Sequence, residues 1–216
     1  DANWGGDVTF TAPRMVTDGT IYNRTAFIEK NGATNDRSDG GNTFMMDADF
    51  VCSGDGYFMM GNGTADSCFA NLSINNTGTN NFYFAQNGAG HYVAGNLTAV
   101  HNASGGGTKE FYLSNGVSAS LDILGNLSLT QNGTGDRLNA YIADDGDVTI
   151  GGNLTISNSG SGTTSDFRLA DRNSSSVSIG GSTNVTNDSS AAVTNRVYLG
   201  NRGDVTFNGT LDIVNN

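Results

Sequence analysis

Apolar residues in this chain fall in short alternating runs, apolar–polar–apolar, and the runs recur in sets of three about every 28 residues. The first run of a set appears as Leu72/Ile74, Leu97/Ala99, Leu127/Leu129, Leu154/Ile156, Thr183/Val185 and Leu211/Ile213. The second appears as Tyr57-Phe58-Met59, Phe82-Tyr83-Phe84, Phe111-Tyr112-Leu113, Ala140-Tyr141-Ile142, Phe167-Arg168-Leu169 and Val197-Tyr198-Leu199. The third appears as Val8-Thr9-Phe10, Leu121-Asp122-Ile123, Val148-Thr149-Ile150, Val177-Ser178-Ile179 and Val205-Thr206-Phe207. Successive side chains of a strand point to opposite faces, so each run predicts a short strand with one buried face. Sets begin near residues 13, 42, 71, 96, 126, 153, 182 and 210, at spacings of 25–30 residues.

Three such strands, joined by Gly- and Asn-rich corners, make one turn of a parallel β-helix. One turn cannot bury its own inward face, whereas stacked turns share a continuous apolar interior. The expected fold is therefore all-β: a parallel β-helix (β-solenoid) of about seven to eight coils, in one domain over residues 1–216. A right-handed winding follows from the general preference for right-handed parallel crossovers. A β-sandwich would also use many short strands and turns, but it does not require three matched strands in every set. Residues 1–12 read as the late part of a coil and residues 210–216 as the early part of another. These partial coils predict head-to-tail stacking of copies, a contact that does not close and so builds a filament.

The phrases Gly152-Asn153-Leu154-Thr155-Ile156 and Gly146-Asp147-Val148-Thr149-Ile150 resemble those of bacterial surface β-helix proteins, the filamentous haemagglutinins and autotransporter passengers. The resemblance is one of repeat style along nearly the whole chain, and it carries no site residues across. It implies secretion and adhesive or structural work.

Composition sharpens this picture. The 216 residues include 31 Gly and 28 Asn but one Pro, two Lys and two Glu, which disfavours helix and supplies turns. Net charge is −11, with 19 Asp spread along the chain rather than gathered in a block. Such a surface cannot neutralise a phosphate backbone, so nucleic acid is excluded as a partner. No apolar run approaches the ~18–20 residues that span a bilayer. The opening Asp1-Ala2-Asn3-Trp4 reads as that of a processed mature chain, and the resemblance implies a location outside the cell or at its surface. Cys52 and Cys68 fall within one coil, and in an extracellular protein they would form a disulfide worth about 3 kcal/mol. The alternative is two buried free thiols.

Thirteen asparagines stand in Asn-x-Ser/Thr sequons: Asn23, Asn62, Asn71, Asn75, Asn96, Asn102, Asn126, Asn132, Asn153, Asn173, Asn184, Asn187 and Asn208. Composition alone would supply roughly half that number. One reading is a heavily glycosylated rod. The other is an asparagine ladder, because Asn71, Asn96, Asn126 and Asn153 occupy one corner of successive coils and their amides can bond to one another. Phe58, Tyr83, Tyr112, Tyr141 and Tyr198 form a second candidate feature, an outward aromatic stripe able to stack on sugars or on a neighbouring rod. Simple strand propensity would place tyrosines there too.

Catalytic chemistry is not indicated. The only histidines are His91 and His101, and no Cys/His set has zinc spacing. Asp144-Asp145-Gly146-Asp147 lacks the spacing of a calcium loop, and no cofactor motif is present. The sequence therefore predicts no enzyme, no metal and no cofactor. The expected protein is an extracellular structural subunit of a glycosylated fibre whose partner is itself. The alternative is an adhesive or carbohydrate-binding segment of a longer surface protein.

Overall fold

The computed structural model describes residues 2–188 and 194–216. Asp1 and Ser189, the latter the hydroxyl residue of the Asn187 sequon, lie outside the described residues. Three parallel sheets wrap one interior. The first sheet has nine strands, from Asn3–Trp4 to Asp204–Phe207, and the second has nine, from Val8–Ala12 to Leu211–Asn215. The third has seven, from Asp36–Arg37 to Thr194–Tyr198. The chain visits them in rotation, so the protein is a β-solenoid. The count of levels differs slightly from the expected coils: nine on two faces and seven on the third.

Register is kept from level to level. In the second sheet Leu72, Leu97, Leu127 and Leu154 stack in one inward column, and Ile74, Ala99, Leu129 and Ile156 in the next. All eight are at most 2% exposed. Burying each leucine or isoleucine contributes about 1.5–3 kcal/mol, and the solenoid repeats that contribution at every level. The third sheet supplies Phe58, Phe82 and Phe111, which stack in register and are fully buried.

The corner from the first sheet to the second is three residues long, as in Ile150-Gly151-Gly152-Asn153-Leu154. A Cβ on Gly152 would fall 2.5 Å from Asn126 Oδ1 and 2.8 Å from the Gly125 carbonyl, so the levels approach too closely there for a side chain. The same spacing in Trp4-Gly5-Gly6-Asp7-Val8 corrects the reading of the N-terminal phase. Val8–Ala12 pairs with Ala26–Lys30 in the second sheet, and Asn3–Trp4 is the strand of the first. Val-Thr-Phe alternates alike in either sheet; only the length of the preceding corner tells them apart.

Candidate functional site

The chemistry of this molecule lies in columns, because a group placed once per level is repeated along the rod. At the corner before the second sheet the asparagine ladder is formed. The backbone N–H of Asn96 donates to Asn71 Oδ1 (2.9 Å), that of Asn126 to Asn96 Oδ1 (2.9 Å) and that of Asn153 to Asn126 Oδ1 (2.8 Å). Asn71 begins on Asp47 Oδ1 (3.0 Å), Ser182 N–H continues onto Asn153 Oδ1 (2.8 Å), and Thr210 ends on Ser182 (2.9 Å). Each amide oxygen satisfies a backbone donor that the corner would otherwise strand.

Strand geometry also explains the excess of sequons. Successive outward positions lie two residues apart, so an outward Asn followed by an outward Ser or Thr spells Asn-x-Ser/Thr. Asn71/Ser73, Asn75/Thr77, Asn96/Thr98, Asn126/Ser128, Asn153/Thr155 and Asn184/Thr186 arise this way. Asn187 is corrected as a glycan candidate: it is 5% exposed, and its Nδ2 donates to the Asn195 carbonyl (3.1 Å) and to Asn215 Oδ1 (2.7 Å). The side chain turns inward because it is the fifth residue of its strand, on the same face as Thr183 and Val185. Asn62 and Asn75 are half-buried, and the other sequon asparagines are exposed.

Asn187 belongs to a column that the sequence reading missed. Lys30, Cys52, Asn76, His101, Gln131, Asn158 and Asn187 close successive second-sheet strands, all pointing inward. They hold carbonyls of the chain that leads into the third sheet: Lys30 Nζ donates to Gly32 O (2.7 Å) and Asn76 Nδ2 to Asn80 O (3.0 Å) in the connecting loops, and Asn158 Nδ2 to Ser165 O (3.1 Å) in the third-sheet strand itself. The signal was available, since a polar residue recurs four places after each leading Leu or Thr. The expected disulfide is overturned here as well. Cys52 and Cys68 are free and buried, Cys52 in a strand of the second sheet and Cys68 in one of the first. Burial pushes the Cys52 thiol up to about 11.

The aromatic stripe is partly corrected. Phe58 stacks in the inward column with Phe82, and Met59 holds the outward position. Tyr83, Tyr112, Tyr141, Arg168 and Tyr198 do share one register on the side away from the core. Their rings cover one another, with centroids 4.9 Å apart for Tyr83–Tyr112 and 4.6 Å for Tyr112–Tyr141. Tyr112 and Tyr141 are therefore only 8% and 7% exposed, and no open aromatic surface remains at them. Burial, joined by neighbouring acidic groups, pushes the Tyr112 phenol far above its ordinary range. The Arg168 guanidinium lies over Tyr198 at 4.9 Å and Tyr141 at 5.6 Å, continuing the stack as a cation–π contact.

Arg168 also donates to Asp166 (3.3 Å) and Asp171 (2.9 Å), and Arg196 holds Asp166 from the next level (2.7 Å). Beside this network, at the corner leading back to the first sheet, lies a groove of about 590 Å³. Asp145, Arg168, Asp171, Arg172, Asn201 and Arg202 line it. Arg172 spans Asp144 (3.4 Å) and Asp145 (3.2 Å), and Asn201 Nδ2 donates to Asp171 (3.0 Å). Donors and carboxylate acceptors thus alternate along its walls.

The outermost levels expose apolar side chains: Trp4 at one end, Leu211, Ile213 and Val214 at the other. Among the described residues no group of three or more His, Cys, Asp or Glu converges where a metal could sit, and no helix is long and apolar enough to cross a membrane. These features define a β-solenoid with polar ladders and a polar groove. No protein-family model, curated protein or solved structure matches the chain. The likeness to surface β-helix proteins accordingly rests on the repeat phrases alone.

Proposed function

We propose that this protein is an extracellular structural rod whose copies stack end to end into a fibre. The observation that carries the reading is the match between the two outermost levels. Phe207 and Trp4 belong to one column of the first sheet, and Leu211 with Val8, and Ile213 with Phe10, to two columns of the second. A second copy laid on the Leu211–Asn215 level in register would set apolar on apolar at all three positions. It would also set Asp7 over Thr210, continuing the corner ladder. At that junction Asn3–Trp4, not Val8–Phe10, supplies the first-sheet strand from residues 1–12, and the shared coil lacks a strand of the third sheet. Nine levels at about 4.8 Å give a subunit rise of about 40–45 Å.

Negative-stain microscopy of the purified chain is expected to show filaments with that repeat, and Ile213→Asp to disperse them into single rods. A wild-type preparation of single rods at all concentrations sinks the proposal. Glycans on the exposed sequons belong to the same reading. Intact-mass measurement should exceed the 22.4 kDa of the bare polypeptide and return to it after deglycosylation.

The groove favours a second reading, a saccharide-binding rod. Its volume lies within the few hundred to one thousand Å³ usual for ligand sites. Neighbouring Arg donors and Asp acceptors can meet the two hydroxyls of a vicinal diol. Arg172→Ala is expected to weaken binding of neutral oligosaccharides on a printed array at least ~10-fold, about 1.4 kcal/mol. Absence of wild-type binding to every neutral glycan removes this reading and leaves the fibre untouched.

A further inference from the structure

One ladder carries titratable groups. Thr20, Asn42, Asp66 and His91 sit on four successive levels, Thr20, Asn42 and Asp66 each just before a first-sheet strand and His91 opening the next. The backbone N–H of each of the first three meets the side chain one level on. Thr20 N–H donates to Asn42 Oδ1 (3.2 Å), Asn42 N–H to Asp66 Oδ1 (2.8 Å) and Asp66 N–H to His91 Nδ1 (3.0 Å). Asn42 Nδ2 adds a second bond to Asp66 Oδ1 (2.8 Å). The far atoms, Asp66 Oδ2 and His91 Nε2, have no partner among the described residues.

The pair is sealed. Asp66 is 2% and His91 0% exposed. Gly61 packs so closely that a Cβ there would fall 2.1 Å from His91 Cε1, and one on Gly88 would fall 2.9 Å from Nε2. Phe84 closes the other side, its ring 5.7 Å from the imidazole. The titratable groups facing Asp66 are the Asp18 carboxylate and the Tyr22 phenol, and neither is a cation. A lone charge in such a place loses its hydration without gaining a counter-ion. His91 Nδ1 accepts a hydrogen bond, so its single proton is on Nε2. Asp66, facing no cation, keeps its carboxyl proton.

We infer that Asp66 and His91 are locked as a neutral pair, and that the pair makes closure of the surrounding levels indifferent to pH across the mildly acidic range. In the closed state the pair holds a carboxylic acid and a neutral imidazole. Opened to water at mildly acidic pH, the Asp66 O–H breaks and releases its proton to solvent, while the imidazole takes one proton from solvent. Opening therefore moves no net proton.

Burial pushes Asp66 up to about 7 and pulls His91 down to about 4. The ordinary values are near 4 and 6.5. Asp66, with a raised folded value, favours closure at low pH and loses that contribution as pH rises toward 7. His91, with a lowered folded value, favours closure at high pH and loses it as pH falls from 6.5 toward 4. The two slopes oppose each other over nearly one interval.

The test is hydrogen exchange at the Thr20, Asn42 and Asp66 amides of the full chain between about pH 4.5 and 6.5. After correction for intrinsic exchange, the wild-type opening constant is expected to stay within about threefold over that range. Asp66→Asn keeps the Oδ1 acceptor and leaves His91 alone; its opening should rise about tenfold per unit as pH falls. His91→Gln leaves Asp66 alone; its opening should rise about tenfold per unit as pH climbs. A wild-type constant that itself changes tenfold per unit, or two variants sloping the same way, overturns the inference. Should a variant not fold, wild-type imidazole ¹⁵N shifts decide. A bare Nδ1 at about pH 5 supports the pair, and an imidazolium signature there removes it.

Discussion

His101→Gln is expected to keep its stability on acidification where the wild-type chain loses it. His101 is fully buried in the polar column that closes the second-sheet strands. Its Nδ1 faces Asn76 Nδ2 at 3.3 Å and its Nε2 faces the Lys109 carbonyl at 3.4 Å. An amide donor on one nitrogen and a carbonyl acceptor on the other select the neutral tautomer with the proton on Nε2. Burial pulls the imidazole from its usual 6.5 down to about 4. The folded value lies below the unfolded one, so the contribution is complete above about pH 6.5 and is lost as pH falls toward 4, reaching about 3 kcal/mol. Asn76 and Gln131, the levels on either side, carry no carboxylate to oppose that loss, as Asp66 opposes it for His91. Gln131 shows that a glutamine fits the column. Urea midpoints at about pH 7 and pH 4 check the expectation: the variant–wild-type difference should move by about 3 kcal/mol in favour of the variant. A difference that does not move with pH would falsify it.

Phe82→Ala should cost about 3–5 kcal/mol. Phe82 is 0% exposed, 5.5 Å from Phe111 in a stacked pair and 5.7 Å from Phe58 edge-to-face. Removing the ring leaves a cavity between levels that the backbone ladders hold at fixed spacing, so the gap cannot collapse. Because each level touches only its neighbours, the damage should be local first. Hydrogen exchange is expected to speed most in Phe58–Met59 and Thr108–Tyr112, and least in the distant Asp204–Phe207 strand. Uniform acceleration along the rod would contradict the level-by-level picture.

The fold was legible because its signal is repeated. Leu127-Ser128-Leu129 says little alone, but its recurrence as Leu154-Thr155-Ile156 after 27 residues demands a neighbour in register. The asparagine corner was legible for the same reason. What failed were single-copy judgements. Val8-Thr9-Phe10 suited either of two sheets, Phe58 was one position out of phase with Tyr83, and Cys52 and Cys68 shared a coil but lie unbonded in different sheets. A slip of one residue exchanges the inner and outer faces, so phase errors become burial errors. The pH-compensated pair was hidden more deeply: Asp66 and His91 are 25 residues apart, and only stacking makes them neighbours.

By itself, the chain determined that it would wind into a β-solenoid, because apolar residues at period two, returning every level, can be buried only by stacking. It also indicated where the corners fall, since Gly followed by Asn recurs before the second-sheet strand in Gly95-Asn96, Gly125-Asn126 and Gly152-Asn153, where the next level leaves no room for a Cβ on the glycine. The tertiary structure decided which polar groups lie inside and what each one meets. His101, Gln131, Asn158 and Asn187 are ordinary polar letters until the second sheet turns them onto carbonyls of the third-sheet strands. Tyr112 and Tyr141 looked like an open stripe until their neighbours covered them. Sequence periodicity specifies the faces of a strand, whereas burial depends on the levels above and below, and those contacts exist only once the coils are stacked.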